Sequence, residues 1–190
     1  MRRRTAAMLL AGAMAVGVLT GCGAGAEADG DWYKEVLSDP AAVGEYTHYR
    51  TLDVNQDGVP ELFLSTTEKA FVTDEDKACL MVYEDGAPKT VKEIGGAGGE
   101  IFYFNEQEKA LTYFSRLSGE SHMEICALKD GALSATKKVD YYAPHHGQEV
   151  DSDEMTYRVD GADVSEEEYN QIWDTYAGET HEVTYEAIHS

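Results

Sequence analysis

From residue 46 onward, apolar and polar positions alternate in short runs broken by turn residues, which is the period-2 pattern of half-buried strands. The runs are Tyr46 to Val54, Glu61 to Thr67, Cys79 to Tyr83, Thr90 to Ile94, Ile101 to Phe104, Leu111 to Arg116, Met123 to Leu128, Leu133 to Asp140 and Met155 to Val159. Asp85-Gly86, Asp130-Gly131 and Asp160-Gly161 each fall between two runs, where a tight hairpin needs residues that accept positive φ. Asn105-Glu106-Gln107 marks another turn, and Gly95-Gly96-Ala97-Gly98-Gly99 reads as a mobile loop. Two segments change to helical spacing. Trp32, Tyr33, Val36 and Leu37 predict a short amphipathic helix ending near Ser38-Asp39-Pro40, with a brief second turn after Pro40. Near the end, Ser165 and Glu168 form a capping box ahead of a stripe at Tyr169, Ile172, Trp173 and Tyr176, with Gly178 as the stop. Such a stripe is a core face before it is a ligand platform. His181 to His189 is expected to add an edge strand.

The fold class expected is therefore mainly β (α+β): an antiparallel meander of hairpins, propeller-blade-like and wrapped into one curved sheet, with a short N-terminal helix and one C-terminal amphipathic helix. The hairpins have no fixed period, so a full propeller is not expected. Residues 31–190 are long enough for one domain with a real core and too short for two comfortable ones.

The first thirty residues follow a different pattern. Arg2, Arg3 and Arg4 precede an apolar run from Thr5 to Val18 that stops at Leu19-Thr20-Gly21-Cys22. A positive start, a short apolar core and small residues before a cleavage point describe an export signal over residues 1–21. The run is too short for a transmembrane helix, which takes about 20 apolar residues. Leu19-Thr20-Gly21-Cys22 resembles the lipobox of bacterial lipoproteins. That resemblance implies removal of the leader, a lipid on Cys22 and residence on the outer face of a cell membrane. Residues 22–30 would be the lipidated cysteine and a flexible, small-residue tether.

The formal net charge of −21 becomes three units more negative once Arg2, Arg3 and Arg4 leave with the signal. So acidic a surface repels phosphate backbones, which excludes nucleic acid as a partner. It also draws cations, although keeping an exported protein soluble is sufficient reason for the charge. With Cys22 assigned to lipid, Cys79 and Cys126 remain either as a disulfide pair or as two buried thiols. No C-x-x-C or Cys/His cluster points to zinc.

One constellation carries chemistry. Asp53-Val54-Asn55-Gln56-Asp57-Gly58-Val59-Pro60-Glu61 places side-chain oxygens at loop positions 1, 3, 5 and 9 with glycine at 6. Calcium takes six to eight oxygens at about 2.3–2.6 Å, and alternating residues of a tight loop can aim theirs at a common centre. Asp53, Asn55, Asp57 and Glu61 would supply side chains and Val59 its carbonyl. Gly58 would make a turn in which a Cβ clashes. Position 12 is Leu64 where an EF-hand places a bidentate glutamate, and the flanks read as strands, so an EF-hand is disfavoured. Leu52 to Leu64 instead resembles the β-hairpin calcium loop of FG-GAP or VCBS-type repeats, with Glu61 for the usual aspartate, Gln56 for a frequent glycine and a single copy. Together with the lipobox, the pattern is also similar to small lipoproteins of Gram-positive bacteria, which implies no particular activity.

Catalytic signals are poorer. His145-His146 precede an acidic run but read as a solvated loop, and Ser115, Ser118 and Ser121 near His122 lack an orienting motif. Two functions are carried forward. The first is a lipid-anchored binding module at the cell envelope, stabilised by calcium, whose partner is a protein or a glycan. The alternative is a hydrolase of envelope or host polymers using carboxylates such as Asp151, Asp153 and Glu154, which requires two of them facing each other in a cleft.

Overall fold

The computed structural model describes residues 30–96, 98–146, 149–150 and 155–189. They form a mainly antiparallel β fold with three α-helices, and no closed barrel or propeller is found among the described residues. The strands are β1 (His48–Leu52), β2 (Glu61–Ser65), β3 (Val72–Thr73), β4 (Lys77–Glu84), β5 (Ala87–Gly95), β6 (Gly99–Asn105), β7 (Ala110–Leu117), β8 (Glu120–Lys129), β9 (Ala132–Tyr142), β10 (His145–His146), β11 (Glu149–Val150), β12 (Thr156–Val159), β13 (Ala162–Val164) and β14 (Glu186–Ala187). The helices are α1 (Trp32–Ser38), α2 (Pro40–Val43) and α3 (Glu166–Tyr176).

The hairpins do not wrap into one curved sheet. They divide into a five-stranded sheet 1, ordered β14-β1-β2-β4-β5, and a seven-stranded sheet 2, ordered β13-β12-β9-β8-β7-β6-β3. The chain passes between the sheets at Gly95 to Gly99, so the expected mobile loop is a close-packed crossing. A Cβ on Gly95 would stand 2.6 Å from the Asp76 carbonyl, and one on Gly98 would stand 2.7 Å from that of Arg116. Ala97 lies outside the described residues.

Side-chain parity explains the stacking. On β2, Phe63 points toward sheet 2 and meets Phe102 edge-on at 5.5 Å, while Leu62 and Leu64 pack with Trp32 and Val36 of α1. Every residue of β2 is buried because both its faces are covered. On β6, Phe102 faces sheet 1 while Ile101 and Tyr103 face α3. Trp173 of α3 meets Tyr103 and Phe114 edge-on at 6.0 and 5.0 Å. The result is four layers, helix, sheet, sheet, helix, each interior face apolar by alternation.

Local chemistry sets the connections. Asp85-Gly86, Asp130-Gly131 and Asp160-Gly161 all have positive φ at both residues, as two-residue hairpin turns require, and Ser118-Gly119 is a fourth. The Ser165 hydroxyl accepts from the Glu168 amide at 3.2 Å and starts α3. Its end differs from expectation. Ala177 is the cap and Gly178 has φ −61°, so the glycine serves close packing, since a Cβ there would lie 3.3 Å from the Asp174 carbonyl. The expected strand over His181 to His189 reduces to β14, two residues paired with β1. Exposed edges are guarded. β14, β3 and β13 are very short, and β5 carries Pro88, Lys89, Lys92 and a bulge at Val91, features that discourage pairing with another chain.

Candidate metal loop and the clefts beside it

Leu52 and Glu61 close the β1–β2 hairpin, which leaves residues 53–60 as an eight-residue loop. Asp53, Asn55, Asp57, Val59 and Glu61 are therefore brought together at one end of sheet 1. The loop is organised by its own oxygens. Asp53 Oδ1 and Oδ2 accept from the Asp57 and Gly58 amides at 3.1 and 3.0 Å. Asn55 Oδ1 accepts from the Asp57 amide at 3.0 Å, and Asn55 Nδ2 donates to Asp57 Oδ2 at 2.8 Å. Asp57 Oδ1 accepts from the Val59 amide at 2.8 Å. Glu61 Oε2 accepts from the buried Val54 amide at 2.7 Å. Among the described residues, no three His, Cys, Asp or Glu side chains gather as a ready metal cluster. Four of the five expected ligands lie in the loop and Glu61 opens β2, with the Asp53, Asn55 and Asp57 oxygens turned to the loop's own amides rather than to a common centre.

Gly58 differs from expectation in its reason. Nothing lies within 4 Å of a Cβ placed there, so space would allow a side chain, while its φ of +90° would not. Gln56 also takes a left-handed φ of 60°. Its Nε2 donates to the Glu106 carbonyl at 3.0 Å and so fastens the loop to sheet 2. Trp32 Nε1 donates to the Pro60 carbonyl at 2.9 Å and fastens the other side to α1. Neither anchor was legible in the motif, because each partner is remote in sequence.

Electrostatically the loop concentrates negative charge. Glu61 is 4% exposed, and its carboxyl is pushed up to about 7. Burial is the largest cause; the Val54 amide opposes it, and the negative charges of Asp57 and Asp53 add to it. Among the described residues, no Lys or Arg ion-pairs with Asp53, Asp57 or Glu61, whereas Lys89 pairs with Glu84 at 2.5 Å nearby.

The loop stands between two clefts. One, of about 560 Å³, runs from Asn55, Asp57 and Glu61 to the hairpin tips at Asp85 and Asp130. The other, of about 820 Å³, lies between Asp53 and Gln56 on one side and Glu106, Asp174 and His181 on the other.

The remaining candidates disperse. Cys79 and Cys126 are free and buried, one on sheet 1 and one on sheet 2, so the disulfide option is not taken. Burial pushes the Cys79 thiol up and, with Glu124, that of Cys126 to about 11, which leaves neither as a nucleophile. Ser115 stands opposite His122, and His122 Nδ1 meets Asp140 Oδ1 at 2.7 Å, but the Ser115 hydroxyl engages Tyr113. Ser118 sits in a turn, and Ser121 is buried with the opposite parity to Ser115, so the three serines share no site. His145-His146 pair with Glu149-Val150 in a small separate hairpin. Cys22, Asp151, Asp153 and Glu154 lie outside the described residues. No described helix is long and apolar enough to cross a membrane. Compared with known proteins, the chain matches no family model, no curated protein and no solved structure.

Proposed function

We propose that the protein is a lipid-anchored module on the outer face of the cell membrane, held there through Cys22, that binds a partner of the cell envelope and uses the β1–β2 loop as a structural calcium site. Asp53, Asn55, Asp57 and Glu61 supply side-chain oxygens and Val59 its carbonyl, as in the FG-GAP or VCBS hairpins that the sequence resembles. The observation that carries the reading is Glu61: a buried carboxylate beside Asp53 and Asp57, with no basic side chain among the described residues paired to any of the three. A hard divalent cation neutralises that repulsion and suits an all-oxygen set. The ion staples β1 to β2 and has no catalytic part.

Thermal melting tests it. At the affinity of about 10⁻⁴ to 10⁻³ M typical of extracellular modules, calcium at ten times Kd adds about 1.4 kcal/mol. For a chain of this size that raises Tm by roughly 3–5 °C. Identical melting in calcium and in chelator would remove the calcium site from the proposal.

A further inference from the structure

We infer that the end of the molecule carrying the β1–β2 loop is its membrane-facing surface, turned toward the phospholipid headgroups that hold Cys22. This rests on the lipid-anchor reading above and adds which end of the domain looks at the lipid. The described chain begins at Gly30, and that residue sits on the loop: a Cβ placed there would lie 3.8 Å from the Gly58 carbonyl. Two residues on, Trp32 donates to the Pro60 carbonyl at 2.9 Å and stacks on Tyr83 near the end of β4, with ring centroids 5.6 Å apart. Trp32 is 4% exposed, so the start of the domain is packed against the loop end rather than frayed from it.

Chain length then sets the reach. Residues 22 to 30 are joined by eight peptide units, and no conformation of eight units exceeds about 29 Å. The loop end therefore stays within that distance of the headgroups however the domain turns. Nothing binds the opposite end in this way. β4 and β7 are each eight residues long and run from one end to the other, so the ends stand about 23 Å apart. The small-residue tether expected from the sequence would average about 16 Å between its ends. Since that is shorter than the strands, inverting the domain would require a stretched tether, while the bilayer excludes the inverted orientations that push the far end through the headgroups. The loop and the two clefts beside it thus open toward the lipid, and a partner from the envelope meets the opposite end first.

The test is resonance energy transfer from the full lipidated chain to a headgroup-labelled acceptor in phosphatidylcholine vesicles. Cys79 and Cys126 are buried and the Cys22 sulfur carries the lipid, so a maleimide donor reads one introduced cysteine at a time. Glu108→Cys and Ala132→Cys report the loop end, and Lys69→Cys and Glu120→Cys the opposite end. All four positions are exposed, so each variant should melt like the wild type. Both loop-end donors should read nearer the acceptor plane than both far-end donors, by up to the strand length of about 23 Å. Equal distances, or the reverse order, would overturn the inference and leave the anchor standing. A mature protein without lipid on Cys22, read by mass spectrometry, would overturn the anchor and the orientation with it. Calcium-dependent melting reports the β1–β2 loop separately, so the calcium site stands or falls on its own.

Discussion

The β1–β2 hairpin and the β8–β9 hairpin solve the same problem with very different outlay. The second reverses the chain with Asp130-Gly131 alone, at φ of 49° and 66°. The first uses eight residues, three acidic or amide side chains folded back on the loop amides and a buried glutamate at its exit. Reversal needs only a pair of positive φ values. The oxygens of Asp53, Asn55, Asp57 and Glu61 exceed that need and raise the charge density without a paired base among the described residues. That surplus is what the proposed calcium site rests on, and the Asp130-Gly131 turn has none of it.

The largest effect should come from breaking the short turn. Gly131→Ala forces a Cβ into the left-handed region, at about 1–2 kcal/mol, while the Glu84 carboxyl it meets is the end of a flexible side chain that can swing aside. Denaturant unfolding should report about that loss, equal with and without calcium. Next comes the proposed calcium loop. Asp57→Ala should forfeit the whole calcium increment, about 1.4 kcal/mol at ten times Kd. In chelator it should cost far less, because removing a negative charge beside Glu61 offsets the lost Val59 hydrogen bond. A calcium-dependent Tm in this variant would contradict the ligand assignment.

A smaller, graded effect is expected with pH. Glu61 ionises near 4.5 when unfolded and near 7 when folded, so between those values the folded state holds a proton the unfolded state has released. Stability in chelator should therefore fall as pH rises from about 4.5 to 7 and level off above, by linkage. Glu61→Gln keeps an acceptor for the Val54 amide and should flatten that window; an unchanged slope would assign the titration elsewhere. The smallest effect belongs to Asp85→Asn. It keeps a residue that tolerates positive φ, so it should stay within about 0.5 kcal/mol with no change in calcium response.

Much of the fold was legible because its causes are local. Nine alternating runs appear as strands close to where they were expected, and three Asp-Gly pairs became two-residue turns, since the hydrogen bonds and φ preferences involved lie within a few residues. The helix start at Ser165 is equally local. What escaped was short or remote. β3 and β13 are two and three residues long, too few to show a period. β14 keeps two residues of the edge strand expected over His181 to His189, but its partners His48 and Tyr49 have no signature in that segment. Cys79 and Cys126 were left as a disulfide pair or two buried thiols, because nothing within their own runs told that β4 and β8 belong to different sheets.

The candidate site divides in the same way. Its residue types and spacing, Asp53 to Glu61, were written in nine consecutive positions. The burial of Glu61 and the ties from Gln56 to Glu106 and from Trp32 to the Pro60 carbonyl arose only when distant elements met. Alternation tells which residues share a face, and turn chemistry tells where the chain reverses. Which face is covered, and by what, depends on burial summed over contacts far apart along the chain, and that was decided by the stacking of the two sheets.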